Sequence, residues 1–319
     1  MFKARPFVGS PMREREPSRT AFAAAAHRAA HQVLERGRIF ADPLAGPILG
    51  AVAQAAAVAT SADPSTRGMR LFIAARSRVA EAALRAGVET RGVSQLVVLG
   101  AGLDTFAYRN PFGAALKVFE VDHPETQAWK RRRLAEAGIA VPAALTFVPV
   151  DFERDGLLAA LEAAGFDPER RSFFTWLGVV PYLTREAIGA TLAVIGGLPG
   201  GGEVVFDYSD PVGTLGGEAR EAHARRAERV AALGEPFLTY FEPADLHAEL
   251  ARLGLERIDD LGPRALVERH IRPGAPADPA RADRGGHVIF AATPPQSGAR
   301  RIKAAKSRSN GAAVRGGRL

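Results

Sequence analysis

Leu96-Val-Val-Leu-Gly-Ala-Gly-Leu-Asp-Thr105 is the stretch on which the fold turns. It completes a short, almost continuous apolar run, Val93-Ser-Gln-Leu-Val-Val-Leu99, ending in a glycine turn. That is the pattern of a parallel strand buried on both faces. Glycines at such a tip let the backbone turn sharply and let a ligand approach without interference from Cβ. Similar runs recur downstream, at Lys117–Val121, Leu145–Val150, Arg171–Trp176 and Glu203–Asp207. Helix-length segments separate them, notably Glu125–Gly138, Gly156–Ala164 and Arg185–Ile195. Strands alternating with helices predict βαβ units on a parallel sheet. After a helical stretch, Ala244–Leu253, two late strands at Leu255–Leu261 and His287–Thr293 predict an antiparallel pair at one edge.

Upstream of the glycine turn the chain reads as helical. Ser18 is an N-cap ahead of an Ala-rich stretch, Ala21–Leu34, with a break at Arg36–Pro43 and further helix to Ala59. Thr66–Ala86 places Leu71, Phe72, Ala75, Val79, Ala82 and Ala83 near helical spacing. The expected organisation is a flexible start (1–17), a helical lid (18–90), an α/β domain (91–296) and a basic, disordered tail (297–319).

Composition narrows the function. The 319 residues include no Cys, which excludes disulfides, thiolate metal sites and a cysteine nucleophile. The formal charge of +7 is a property of the tail. Seven basic and no acidic residues follow Ser297, and removing those seven from the 42 basic residues leaves 35, equal to the 35 acidic ones. The body therefore has no excess positive charge with which to track phosphates, and no specific nucleic-acid partner is expected. No apolar run approaches the roughly 18 residues of a bilayer span, and Met1–Arg19 has no apolar signal-peptide core. A cytoplasmic protein without a membrane partner is expected. His27 and His31 stand four apart without the Glu of a metalloprotease helix, which reads as a surface pair and not a metal site.

The strand after the turn identifies a nucleoside site. Val118-Phe-Glu-Val-Asp122 ends in a carboxylate about 20 residues beyond the glycines, where it can accept from both ribose hydroxyls. Glu120 lies on the same side of the strand and competes for that role. A dinucleotide fingerprint requires a third glycine, but that position is Thr105. The turn also carries Asp104, which repels a pyrophosphate and suits a cation such as the sulfonium of S-adenosyl-L-methionine. Asp104 suits a helix cap equally well. The alternative on the same sheet is an NAD(P)-dependent oxidoreductase.

Further motifs carry a resemblance. These are Ser18-Arg-Thr-Ala21, Phe40-Ala-Asp-Pro-Leu-Ala45, Ala75-Arg-Ser-Arg78, Val98-Leu-Gly-Ala-Gly-Leu-Asp-Thr105, Phe119-Glu-Val-Asp-His-Pro124, Val150-Asp-Phe152 and Trp176-Leu-Gly-Val-Val-Pro-Tyr-Leu183. In this order the chain resembles the leucine carboxyl methyltransferase-like group of class I S-adenosylmethionine-dependent methyltransferases, especially its bacterial branch of O-methyltransferases. The resemblance implies a class I methyltransferase Rossmann-like sheet of seven strands, the last antiparallel, under an N-terminal helical lid. It implies S-adenosyl-L-methionine as cofactor and a small-molecule methyl acceptor, with protein carboxyl methylation as the other option. It assigns Arg76 to the methionine carboxylate, Gly100 and Gly102 to the turn against the methionine moiety, Asp122 to the ribose, and Asp151 and Phe152 to the adenine. One departure stands out, because Leu177 occupies a position where much of the family has Glu. A carboxylate acceptor needs no base; for a hydroxyl acceptor the candidates near the expected cleft mouth are Tyr182 and Arg19, with Tyr108 and His123 behind them, but no catalytic residue and no oligomeric state can be assigned.

Overall fold

The computed structural model describes residues 18–151, 155–274 and 284–295. The expected flexible start, the basic tail and Phe152 lie outside the described residues. Four helices come first: α1 (Arg19–Leu34), α2 (Ala45–Leu49), α3 (Ala51–Ser61) and α4 (Pro64–Arg91). Local chemistry sets their ends. The Ser18 side chain accepts from the Ala21 amide at 3.2 Å and so caps α1. Asp63 caps α4 by accepting from the Ser65 amide at 2.8 Å, with Pro64 in the first turn. Gly92, in the left-handed region at φ +76°, ends it. Both signals lie outside the apolar stripe, so α4 runs longer than the Thr66–Ala86 expected from periodicity.

The sheet comes next, with β1 (Gln95–Leu99), β2 (Lys117–Asp122), β3 (Leu145–Pro149), β4 (Ser172–Trp176), β5 (Gly202–Ser209), β6 (Arg257–Leu261) and β7 (Gly286–Ala292). Its order is β3-β2-β1-β4-β5-β7-β6. The pairs among β1 to β5 are parallel, while β7 runs antiparallel to both β5 and β6. The last strand, β7, is therefore the antiparallel one, inserted between β5 and an outermost β6, and β6 and β7 form the expected antiparallel pair at one edge.

The remaining helices are α5 (Pro124–Glu136), α6 (Leu157–Ala163), α7 (Arg185–Gly196), α8 (Gly217–Ala232), α9 (Pro243–Arg252) and α10 (Pro263–Leu266). Helices cover both faces of the sheet. On one face Val97, Leu99, Phe119, Phe174, Trp176 and Phe206 pack with Leu157 and Leu161 of α6, Leu192 of α7 and Leu250 of α9. On the other, Leu96, Val98, Val118, Phe173 and Val205 pack with Leu71, Ala75, Val79 and Leu84 of α4. Adjacent strand residues thus serve opposite cores, which is why the strands read as unbroken apolar runs. Each fully buried Val, Leu or Phe contributes roughly 1.5–3 kcal/mol. Truncating Trp176, at 0% exposure, to Ala would cost about 3–5 kcal/mol. Among the described residues no helix is long and apolar enough to cross a membrane.

The order reverses between β1 and β4, and in open parallel sheets ligands bind beyond the carboxyl ends of the strands at such a switch point.

Candidate functional site

Beyond the carboxyl end of β1 the chain turns through Gly100 and Gly102, at φ +62° and +43°. Both glycines are required by packing as well as by backbone angle. A Cβ on Gly100 would stand 2.5 Å from Val179 Cγ2, and one on Gly102 2.9 Å from Ala21 Cβ. Asp122, at the end of β2, spans this turn. One of its carboxylate oxygens accepts from the Gly102 amide at 2.5 Å and the other from the His123 amide at 2.7 Å. Burial raises its pKa, opposed by those two N–H donors.

Glu120 is drawn elsewhere. Its carboxylate lies 2.7 Å from Lys130 Nζ and accepts from the Tyr108 hydroxyl at 3.2 Å. Burial pushes it up to about 7, with the Lys130 ammonium opposing. The competing ribose candidate is thus part of a buried pair in the core. Tyr108 is held by that pair, and His123 caps α5 by accepting from the Glu125 amide at 3.4 Å.

Arg76 enters from α4 at the other side of the switch point. Its Nη1 donates to Asp207 Oδ2 at 2.9 Å, while Asp207 Oδ1 accepts from the Gly178 amide at 2.6 Å. Arg76 is 8% exposed and Asp207 5%. The guanidinium lies against Gly178, where a Cβ would come within 2.7 Å of Nη2. Its Nε is buried and has no hydrogen-bond partner. From Asp122 to Gly102, Gly100, Val179, Gly178 and Arg76 the contacts are continuous, so Arg76 and Asp122 share one edge of the sheet. Asp151 follows β3 on that edge, its amide donating to Asp155 at 2.8 Å. Asp207 is not singled out by the sequence. It ends an apolar run, and only the fold shows that it meets an arginine 131 positions away.

Asp104 Oδ1 accepts from the Phe106 amide at 2.8 Å, a turn bond one residue ahead of Thr105, which is the N-cap residue. The chain continues into a four-residue 3₁₀ turn, Phe106–Arg109. The glycine turn therefore does not lead directly into an α-helix whose N-terminus would receive a pyrophosphate. Thr105, in place of the third glycine, donates from its hydroxyl to Asp42 at 2.7 Å. Both features count against the dinucleotide alternative.

Asp42 is the centre of a buried polar network that docks α1 on the turn. It is 0% exposed. Arg28 of α1 donates from Nε to Asp42 at 3.2 Å and from Nη2 to the Leu103 carbonyl at 2.5 Å. Arg109 reaches both Thr105 Oγ1, at 3.1 Å, and Glu81. This explains the Phe40-Ala-Asp-Pro motif physically, since its carboxylate joins the N-terminal helices to the glycine turn.

The two histidines of α1 are not a surface pair. His31 is fully buried, with Nε2 accepting the Ile39 and Phe40 amides and Nδ1 against Glu35. His27 Nδ1 is buried without a partner, and burial, with Arg70, Arg76 and Arg229 adding, lowers its pKa to about 4. Among the described residues no group of three or more metal-ligating side chains is present.

A cavity of about 520 Å³, lined by Arg38, Arg67, Arg78, His270 and Arg272 among others, lies apart from this edge. Arg67 and Arg78 fall nine residues before and two after Arg76, which a helix of 100° per residue turns to the opposite face of α4. All four arginines are exposed and keep their hydration, so nothing there calls for a bound anion.

The profile of the leucine carboxyl methyltransferase family matches residues 21–196. The chain is 36% identical over 174 residues to the "Putative S-adenosyl-L-methionine-dependent methyltransferase YktD" of Bacillus subtilis, a match covering 54% of this chain and 57% of that one. It is 35% identical over 209 residues to a protein of the same description from Mycobacterium sp. (strain KMS), covering 65% and 67%. The match thus spans little more than half the length of the first relative. A solved structure of a DUF574 family protein from Streptomyces avermitilis shares the fold at TM-score 0.52 and 17% identity, over 84% of this chain and 97% of that one. With the profile spanning more than half its length, this chain belongs to the leucine carboxyl methyltransferase family.

Proposed function

We propose that the protein is an S-adenosyl-L-methionine-dependent methyltransferase that methylates an oxygen of a small molecule. The observation that carries this reading is the shared edge of Arg76 and Asp122, with the glycine turn between them. The residues fit the cofactor. Each Asp122 oxygen takes one backbone N–H, and a carboxylate retains further lone pairs for ribose hydroxyls. Arg76 keeps a buried, unsatisfied Nε beside the Gly178 turn, suited to a carboxylate. Asp151, with Phe152 outside the described residues, follows the strand next to Asp122 and is assigned to the adenine.

When bound, S-adenosylmethionine would supply a sulfonium methyl group open to in-line attack, with the neutral thioether as the leaving group. The work of the chain is then to align an acceptor oxygen about 3 Å from that methyl, a contribution that needs orientation more than acid–base chemistry. Helix α1, docked through Arg28 and Asp42, shields the turn from water. Burial pushes the Tyr182 phenol up to about 12, so near neutrality it can orient an acceptor by hydrogen bonding but does not serve as a base.

Isothermal titration with S-adenosylhomocysteine tests the reading. One site per chain is expected, and Asp122→Asn should weaken it at least tenfold. Absence of binding at millimolar ligand overturns it.

A further inference from the structure

One guanidinium near this edge has no counter-charge. Arg226, on α8, is partly buried, and burial lowers its pKa. Its Nη2 donates to His223 Nδ1 at 3.1 Å, and its Cζ stands 5.6 Å from the centroid of the Phe237 ring. Among the described residues no carboxylate lies within ion-pair distance. The groups that act on it are Tyr182, Tyr240, Arg229 and Asp207. None neutralises it. Asp207 is engaged by Arg76 and the Gly178 amide, and Arg229 has the same sign. His223 is neutral, since its Nδ1 accepts from Arg226 while its Nε2 meets the Tyr240 hydroxyl at 2.9 Å. Glu235 acts on Tyr182 but makes no ion pair with Arg226. A cation drawn partly out of water without an opposite charge is costly unless a ligand completes it.

The surroundings specify the ligand further. Tyr182 and Phe237 have ring centroids 5.2 Å apart, Phe237 and His223 5.6 Å, and His223 and Tyr240 5.4 Å. This aromatic wall is tied to the chain just after Gly178. The Leu238 amide donates to the Pro181 carbonyl at 2.7 Å, and the Thr239 hydroxyl to the Leu183 carbonyl at 2.5 Å. These rings pack on one another, but Tyr182, Phe237 and Tyr240 are only partly buried, so the solvent side of the cluster can take a flat ring, and a guanidinium at its border offers a bidentate fork to a carboxylate.

We propose that Arg226 and the wall formed by Tyr182, Phe237 and Tyr240 bind the acceptor, and that the acceptor is an aromatic acid whose carboxylate pairs with Arg226. This rests on the methyltransferase reading for the word acceptor, but the binding site itself does not. The test is titration of the full-length protein, saturated with S-adenosylhomocysteine, with 4-hydroxybenzoate, 4-hydroxycinnamate and salicylate, each against its primary amide. At least one acid should bind tenfold or more tightly than its amide. Arg226→Gln should abolish that preference while leaving S-adenosylhomocysteine affinity within twofold. The proposal fails if no acid outbinds its amide, or if the preference survives in Arg226→Gln. Should that variant not fold, Arg226→Lys decides. It keeps the charge without the fork, so a preference reduced threefold or more supports the proposal and an unchanged one overturns it. If S-adenosylhomocysteine does not bind, the methyltransferase reading falls, while the acid-over-amide preference of the ligand-free protein still decides the role of Arg226.

Discussion

Arg76 and Asp207 meet at 2.9 Å, 131 residues apart in sequence and both almost fully buried. Neither can be removed cheaply, because the survivor becomes an isolated buried charge, at a cost of about 3–5 kcal/mol. Arg76→Gln should therefore lower stability and cofactor binding together and would not separate the two. Arg76→Lys keeps the charge opposite Asp207 but loses the fork that, on the proposed reading, would also take the carboxylate of the cofactor. Its expected outcome is a thermal midpoint within a few degrees of wild type and S-adenosylhomocysteine affinity down about tenfold, or roughly 1.4 kcal/mol. Equal affinity in paired titration and melting experiments would remove Arg76 from the cofactor site.

The docking of α1 depends on Asp42. At 0% exposure it accepts from Arg28, Thr105 and the Leu44 amide. Asp42→Ala leaves the buried Arg28 without its counter-charge, and a destabilisation of about 3 kcal/mol or more is expected. The loss should be local first. Hydrogen exchange should rise across 19–49, while β1 and β4, whose core does not include α1, stay protected. Uniform exchange over the sheet and α1 would show that the helix is not separately held.

How far the sequence disclosed this arrangement depended on what each residue packs against. Strands such as Val93–Leu99 were legible because both faces are buried, which forces an apolar run. Helix α8 was not, since of its 16 residues only His223 is buried and no apolar stripe marks it. Asp122 as the proposed ribose ligand follows from its distance to the glycines, but what engages its rival Glu120, the Lys130 contact, depends on how α5 packs. Asp207 and Arg226 were invisible for one reason. Their significance is a partner, or the lack of one, across the fold, and no local pattern encodes that. Asp104 is the reverse case, a residue whose local role was legible: its Oδ1 accepts from the Phe106 amide two positions on.

The pH dependence of stability should show His27. Its folded pKa of about 4, against 6.5 for the free side chain, means that the unfolded chain binds more protons between those values. Stability from this residue is full above pH 6.5 and is lost as pH falls toward 4, by up to about 3 kcal/mol. Glu120 acts in the opposite sense, because its folded pKa of about 7 lies above 4.5, so its contribution is present at low pH and fades as pH rises through 7. Comparing wild type with His27→Gln isolates the imidazole. The stability difference, measured by urea denaturation, should shift against wild type as pH drops from about 7 to about 4. A constant difference would place His27 in water.

Gly100 offers a test of the turn itself. Alanine there faces two separate penalties, a backbone at φ +62° and a Cβ 2.5 Å from Val179 Cγ2. The angle costs roughly 1–2 kcal/mol, and the contact forces Val179, and with it the Gly178 turn under Arg76, to move. Gly100→Ala should therefore lose both stability and S-adenosylhomocysteine affinity. Adding Val179→Ala relieves the contact but not the angle, so the double variant should regain most of the affinity and only part of the stability. Full recovery of both would mean that the left-handed turn is not strained. No recovery of affinity would mean that the added methyl itself obstructs the ligand, bringing the cofactor closer to Gly100 than to Val179.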